Sequence, residues 1–192
     1  MTDQTMNIVL CGVGGQGTVL ASKLLAYAAM KKGLQVMSAE TIGMAQRGGS
    51  VFSHLRIGGE LYGPMIAEGT ADIIIGFEPG ETVRMLPYLK KGGTVIVSKR
   101  GVMPVTASLG AVYEPEKMLD YLREKITKLT IVDTDEAFEK LGSSKVMNVV
   151  LLGAAVSSGT IAFTKEEIKD ALKARLPEKV LDLNYRALDY VK

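Results

Sequence analysis

The feature that most restricts the fold of this chain is a glycine-rich turn near its start. Residues 7–11 form a short apolar run that predicts a buried strand, and residues 16–32 carry apolar side chains at helical spacing. Between them lies the pattern G-x-G-x-x-G, in the order Gly12, Val13, Gly14, Gly15, Gln16 and Gly17. A strand that enters a helix through such a turn typically opens an α/β fold, because glycine permits the close backbone approach that the corner requires.

Downstream patterns continue this alternation of strands and helices. Apolar runs predict strands over residues 35–39, 72–77, 94–98 and 129–132. Helical spacing predicts helices over residues 81–90, 118–126, 136–141, 148–157, 164–175 and 181–191. Thr164 and Glu167 have the spacing of a capping box, which places the start of one helix at that point.

One stretch departs from the parallel pattern. Residues 51–57 alternate in polarity like a half-exposed strand, and Gly58-Gly59 predicts a tight hairpin into residues 60–62. Residues 41–50 have no periodicity and contain three glycines, which predicts a loop. The sequence therefore predicts a single domain over residues 1–192 with a three-layer α/β/α, Rossmann-like fold, whose largely parallel, mixed sheet carries an inserted antiparallel hairpin.

The composition argues against several classes of function. The 192 residues include 23 basic and 21 acidic side chains without a long run of one sign, which does not favour a nucleic-acid groove. One cysteine and one histidine are too few for an iron–sulfur cluster or a good zinc site. With neither a signal-like start nor an apolar run of membrane-spanning length, we expect a cytoplasmic protein.

The glycine turn has the chemistry of an anion site. Missing β-carbons let a ligand approach the backbone, and the free N–H groups at a helix start favour a phosphate or a carboxylate. Glu40 follows about 20 residues after the turn, as in dinucleotide-binding folds, so NAD or FAD is an open alternative. Close packing of the helix on the strand would also explain the glycines without any ligand.

A second cluster of polar groups lies in the predicted loop. Arg47 could bind a carboxylate or a phosphate through two hydrogen bonds, with neutral donors beside it. The candidate residues are Gln46, Arg47, Gly48, Gly49 and Ser50. A solvated loop with a surface arginine is the alternative interpretation.

Four other side chains carry weaker predictions. His54, on the predicted strand of residues 51–57, is expected to be a structural hydrogen-bonding residue, and Cys11 a small buried hydrophobe. Lys99 and Arg100 follow a strand, where they could contact an anion, although a surface pair is the simpler interpretation. The sequence assigns no catalytic residue.

The two glycine clusters together resemble a known family. Val13 to Gly17, then Gly43-Met44-Ala45-Gln46-Arg47-Gly48-Gly49-Ser50 and Ser53-His54-Leu55-Arg56, are similar to the gamma subunit of 2-oxoacid:ferredoxin oxidoreductases. The form Gly-Met-Ala-Gln-Arg-Gly-Gly-Ser-Val is similar to the indolepyruvate, aryl-oxoacid branch, whose corresponding chain is the small (beta) subunit. The resemblance runs through most of the chain and includes residues 148–153.

This resemblance implies a role in a larger enzyme. Such enzymes convert a 2-oxoacid and coenzyme A into an acyl-CoA and carbon dioxide and pass electrons to ferredoxin. Thiamine diphosphate and the iron–sulfur clusters are expected on the large catalytic subunit, and coenzyme A as co-substrate, with no cofactor bound by this chain alone, no nucleic acid and no membrane. The glycine turn and the Arg47 loop are expected to face coenzyme A or the partner subunit. A purely structural subunit is a further alternative.

Overall fold

The described strands form one sheet. The structure is a computed structural model that describes residues 5–42, 49–103, 110 and 112–191. Its strands are β1 (Met6–Val13), β2 (Val36–Ile42), β3 (Ser50–Ile57), β4 (Ala71–Gly76), β5 (Leu89–Ser98) and β6 (Lys128–Val132). Their order across the sheet is β2-β3-β1-β4-β5-β6. The strands β1, β4, β5 and β6 pair in parallel, whereas β3 is antiparallel to both β1 and β2.

Helices cover both faces of this sheet. The described helices are α1 (Thr18–Lys31), α2 (Pro79–Met85), α3 (Pro115–Lys125), α4 (Thr134–Leu141), α5 (Met147–Ser157), α6 (Lys165–Arg175) and α7 (Leu181–Leu188). Alternate residues of a strand point to opposite faces. Leu10 of β1 therefore joins the core under α1 and α4 to α7, while Val9 joins the core under α2 and α3. The predicted three-layer α/β/α architecture is confirmed.

The predicted capping box is present at the start of α6, and a second local cap sets the start of α4. The Thr164 hydroxyl accepts the Glu167 N–H at 3.2 Å, and the Glu167 carboxylate accepts the Thr164 N–H at 2.8 Å, which completes the capping box of α6. Asp133 caps α4 by accepting the Glu136 N–H at 3.0 Å. Each of these contacts spans three residues, so the local sequence is enough to encode it.

Helix α5 shows how closely the helices pack. All but its last two residues are buried. A β-carbon at Gly153 would lie 2.2 Å from the Leu188 carbonyl oxygen of α7, so this crossing requires glycine. Within the described residues, no helix has the length and the apolar character needed to cross a bilayer.

The hairpin prediction was right about an antiparallel strand and wrong about its partners. Residues 60–62 are not a strand, and β3 pairs instead with β1 and β2. Gly58 and Gly59 do take positive φ angles of 81° and 61°, as a tight turn would require. The chain then continues irregularly, and Leu61 and Ile66 become buried. The segment after the turn is therefore held to the protein by these two buried side chains and not by pairing as a second hairpin strand.

Two further element boundaries differ from the prediction. The helix predicted over residues 81–90 ends at Met85, and Pro87 lies in a short 3-10 turn, Leu86–Tyr88, before β5 begins at Leu89. Proline has no N–H to continue an α-helix, which explains the early end. Part of the predicted loop of residues 41–50 is strand, because β2 extends to Ile42 and β3 begins at Ser50.

Candidate functional site

The corner between β1 and α1 is open and electropositive in character. Gly15 and Gly17 have left-handed φ angles of 99° and 86°. Gly17 is the N-cap of α1, and among the described residues no side chain makes a capping hydrogen bond there. The first turn of α1 also contains no acidic residue. Uncapped N–H groups at the positive end of a 14-residue helix favour an anion.

Gln16 uses its side chain within the protein. Its Oε1 accepts the Val13 N–H at 2.8 Å, and its Nε2 donates to the Phe77 carbonyl oxygen at 3.0 Å. A β-carbon at Gly12 would lie 2.6 Å from that Oε1, so packing explains the first glycine of the motif. Gly15 differs, because a β-carbon there would meet open space. Gly15, and not Gly12, is therefore the residue that faces outward.

The corner lies at the topological switch point of the sheet, where the connections from two neighbouring strands lead in opposite directions. Helix α1 leads from β1 toward β2 on one side, and α2 leads from β4 toward β5 on the other. In open α/β sheets, ligands bind at the carboxyl ends of the two strands beside such a point. The Phe77 N–H donates to the Cys11 carbonyl oxygen at 2.7 Å, so the two strand ends are tied together.

The second predicted cluster meets the corner at its described end. The Gly14 N–H donates to the Gly49 carbonyl oxygen at 2.9 Å, and the Ser50 hydroxyl donates to Glu81 at 2.6 Å. Gln46, Arg47 and Gly48 lie outside the described residues. The structure thus brings Gly49 and Ser50 next to the glycine turn.

Two clefts flank the turn. One, of about 500 Å³, is lined by the turn, by Val51 and by Thr18, whose buried hydroxyl has no hydrogen-bond partner in the described part of the chain. The other, of about 330 Å³, contains the outward side of the turn and the cations Arg100 and Lys145. A larger cleft of about 730 Å³ lies at the opposite, amino ends of the strands, far from this corner.

The cations near the second cleft differ in their pairing. Lys99 pairs with Asp133 at 3.2 Å, and Arg100 pairs with Asp135. Both cations are therefore engaged, as a surface pair would be. Lys145 forms no ion pair within the described residues and is the cation there that is available to an added anion. The sequence did not single it out, because it lies about 130 residues away along the chain from the turn.

Glu78 is a buried carboxylate that the sequence also did not single out. It is 3% exposed and accepts hydrogen bonds from the Glu81 N–H at 2.9 Å and from the Tyr113 hydroxyl. Burial raises the pKa of Glu78, although these hydrogen bonds oppose that rise. Glu78 lies two residues after β4 and directly before Pro79. A residue before a proline at the first helical position is a sequence signal for a helix start, and this signal could have identified it.

His54 and Cys11 have the structural surroundings that the sequence predicts. His54 is fully buried, and its Nδ1 accepts the Ile66 N–H at 2.9 Å. Burial lowers the pKa of His54, which keeps the ring neutral near pH 7. Cys11 is also fully buried, and burial raises the pKa of its thiol far above the usual range. A thiol that resists ionisation is a poor nucleophile and a poor metal ligand.

The donor set does not suit a metal cofactor. The described residues contain no group of three or more His, Cys, Asp or Glu side chains that could bind an ion. An iron–sulfur cluster needs several thiolates, and the sequence has one cysteine. No step of chemistry is therefore assigned to a metal on this chain.

Glu40 is not placed as a dinucleotide fold requires. The strand β3 lies between β1 and β2, and Glu40 is opposite Ser53, which in turn is opposite Leu10. Two strand spacings of about 4.8 Å separate Glu40 from β1. In a dinucleotide fold, the acidic residue lies on the strand beside the glycine turn. The inserted strand thus removes one of the two signals that favoured NAD or FAD.

Comparison with known proteins identifies the family. The sequence profile of the family described as pyruvate ferredoxin/flavodoxin oxidoreductase matches residues 7–191. The chain belongs to this family. The indolepyruvate oxidoreductase subunit IorB of Pyrococcus horikoshii is 39% identical over 186 residues, which cover 95% of this chain and 92% of that protein. The corresponding IorB subunit of Archaeoglobus fulgidus is 40% identical over 185 residues, with coverages of 95% and 92%.

A solved structure shares the fold of this chain. The pyruvate oxidoreductase subunit PORC of Thermotoga maritima has a TM-score of 0.70 at 25% identity, and the match covers 97% of this chain and 94% of that one. The family resemblance and the fold class predicted from the sequence are both confirmed. These relatives are by name subunits of oxidoreductases.

Proposed function

We propose that this chain is the non-cluster subunit of an indolepyruvate (aryl 2-oxoacid):ferredoxin oxidoreductase. The observation that carries the proposal is the 39–40% identity to indolepyruvate oxidoreductase subunits over nearly their whole length. The complex would convert a 2-oxoacid anion and coenzyme A into an acyl-CoA, carbon dioxide, a proton and two electrons for ferredoxin. The chain would be active only together with its large subunit, in the cytoplasm.

The described residues support a binding role for this chain in that reaction. Thiamine diphosphate and iron–sulfur clusters on the large subunit would supply the decarboxylation and the electron transfer. The uncapped start of α1, with Gly14, Gly15 and Gly17, would receive phosphate groups of coenzyme A. Lys145 would add a positive charge in the adjoining cleft, and the Arg47 guanidinium would add another.

The alternatives have less support. Glu40 lies two strands away from β1, which weighs against a stand-alone dinucleotide-binding protein. A purely structural subunit would not need the uncapped start of α1 at the strand switch point. If the isolated chain bound NAD or FAD with micromolar affinity, the dinucleotide interpretation would replace ours.

The proposal is tested by reconstitution with the large subunit. The co-purified complex should reduce ferredoxin in a reaction that depends on indolepyruvate and coenzyme A, and neither chain alone should do so. Activity of the small chain alone would overturn the proposal. So would an assembled complex without 2-oxoacid-dependent turnover.

Variants separate a binding role from a scaffold role. Lys145→Ala and Arg47→Ala should each raise the KM for coenzyme A roughly threefold to tenfold, because a charge-assisted contact to phosphate is lost. Lys23→Ala, at an exposed position of α1, is the matched control and should leave that KM unchanged. Native kinetics in both variants and in Gly14→Ala would favour the structural-subunit alternative.

A further inference from the structure

Two buried glutamates lie at the start of α2, where Glu78 is the N-cap and Glu81 is in the first turn. Glu78 and Glu81 are 3% and 8% exposed. They follow β4 at the switch point of the sheet, and the Glu81 N–H donates to Glu78 at 2.9 Å. A buried carboxylate is costly unless donors surround it. Apart from groups of α2 itself, the donors that reach this pair come from Ser50, Val102 and Tyr113.

Glu78 accepts hydrogen bonds from two residues that are separated along the chain by about ten positions. Its Oε1 accepts the Val102 N–H at 3.4 Å and the Tyr113 hydroxyl, which come from positions before and after residues 103–112. The same hydroxyl accepts the Gly80 N–H at 3.2 Å. Val102 and its neighbour Arg100 line the cleft beside Gly15 and Lys145. The Glu78 carboxylate therefore sets the position of one cleft wall.

Glu81 accepts a hydrogen bond from Ser50, at the start of β3. The Ser50 hydroxyl donates to its Oε2 at 2.6 Å, and Arg84 lies 3.5 Å from its Oε1. Gly49, the neighbour of Ser50, accepts the Gly14 N–H at 2.9 Å. The contact between Ser50 and Glu81 thus fixes the end of the segment that touches the glycine turn directly.

We propose that Glu78 and Glu81 are positioning residues that fix Val102, Tyr113 and Ser50 around the glycine turn and so determine its affinity for the acyl acceptor. The inference rests on the proposed function, because it takes coenzyme A as the ligand of that corner. Neither glutamate contacts the ligand. Each acts through the backbone segments that it holds by hydrogen bonds.

The charge state of Glu78 matters for this role. An ionised carboxylate accepts all of its donors at once, whereas a protonated one must donate a hydrogen and lose an acceptor site. The titratable groups that face it are Tyr113, Glu81 and Cys11, and burial raises the pKa of Glu78. Binding of coenzyme A should therefore weaken as the pH falls through that raised pKa.

Glu78→Gln tests the inference in the reconstituted complex. The glutamine has one acceptor oxygen, and its amide group faces N–H and O–H donors, so the KM for coenzyme A should rise roughly threefold to tenfold. The kcat at saturating coenzyme A should stay within about twofold, because the reacting groups are not touched. The KM of the native complex for coenzyme A should rise at acid pH. The KM of the Glu78→Gln complex for coenzyme A should not rise over the same pH range.

Three further variants complete the test. Tyr113→Phe and Ser50→Ala remove one donor from each glutamate and should raise the same KM, and they decide the question if Glu78→Gln does not fold. Glu139→Gln, at an exposed position of α4, is the isosteric control and should behave like the native chain. The inference would be overturned if the variants Glu78→Gln, Tyr113→Phe and Ser50→Ala folded and kept the native KM for coenzyme A. A decrease in kcat alone, without a rise in that KM, would also overturn it.

A measurement on the isolated chain keeps this inference separate from the proposed function. Amide hydrogen exchange at Val102 should be at least about fivefold faster in Glu78→Gln than in the native chain, since its acceptor is weakened. Unchanged exchange at Val102 would overturn the positioning role even if the complex were active. A native complex without coenzyme A dependence would instead overturn the proposed function.

Discussion

Gln16 makes both hydrogen bonds of its amide within the protein. It accepts from Val13 and donates to Phe77, which lies 61 residues further along the chain. This bridge joins the end of β1 to the end of β4, directly beneath the corner that is open to a ligand. The residue therefore stabilises the site through both its amide oxygen and its amide nitrogen.

Gln16→Glu should destabilise the fold. A carboxylate can still accept the Val13 N–H, but it cannot donate to the Phe77 carbonyl oxygen 3.0 Å away. We expect a loss of about 1–3 kcal/mol in the free energy of unfolding, measured with urea near pH 7. Gln35→Glu makes the same change at an exposed side chain and should cost less than about 0.5 kcal/mol. Equal stability of both variants would contradict the bridging role.

At the scale of elements, the crossing of α5 and α7 depends on one small residue. Gly153 lies in the buried centre of α5, against the carbonyl oxygen of Leu188 near the end of α7. Helix α5 also lies under the sheet and contacts α1. A shift at this crossing would therefore reach the layer that supports the start of α1.

Gly153→Ala should separate these two helices. Alanine gains about 1 kcal/mol of helix propensity, but its β-carbon would lie 2.2 Å from the Leu188 oxygen. We expect a net loss of about 1–3 kcal/mol in thermal or urea unfolding, since backbone must move to relieve the contact. Gly63→Ala, where the added carbon meets open space, should leave stability within about 0.5 kcal/mol. A stabilised Gly153→Ala would show that the crossing relaxes freely.

The inserted strand β3 is the element that most changes the meaning of the glycine turn. Because it pairs with both β1 and β2, it moves β2 to the edge of the sheet and carries Glu40 away from the turn. The local pattern that suggests a dinucleotide site is thus intact in the sequence but not in space. Strand order decides which interpretation survives.

At the scale of the whole molecule, the centre of the sheet holds the single thiol of the chain. Cys11 lies on β1 between β3 and β4 and is fully buried under the layer of α2 and α3. A reagent can reach it only when the central strands separate from this layer. Its reactivity therefore reports on opening of the core.

Cys11 should react at least about a thousandfold more slowly with a thiol reagent in the native chain than in urea, because opening costs most of the free energy of unfolding. The measurement is the rate of reaction with dithiobisnitrobenzoate. Ser38→Cys in a Cys11→Ser background places the one thiol at an exposed position of β2 and should react rapidly. Rapid reaction of the native chain would mean that α2 opens locally.

Features that depend on near neighbours could be predicted from the sequence. The glycine turn after a buried strand, the capping box of Thr164 and Glu167, and the alternation of strands and helices were all predicted. Each rests on contacts within a few residues, which local sequence encodes. The false hairpin arose in the same way, since Gly58-Gly59 has the local conformation of a turn without a strand to follow it.

Contacts between distant residues could not be predicted from the sequence and are seen in the folded chain. The position of β3 between β1 and β2 is one such pairing. The Gln16 bridge to Phe77 and the contacts of Glu78 with Val102 and Tyr113 join residues that are 24 to 61 positions apart. Such pairings depend on how the whole chain buries its apolar surface and satisfies its buried polar groups, and no local pattern encodes that balance. The glycine turn is thus a local feature, and its surroundings are a property of the fold.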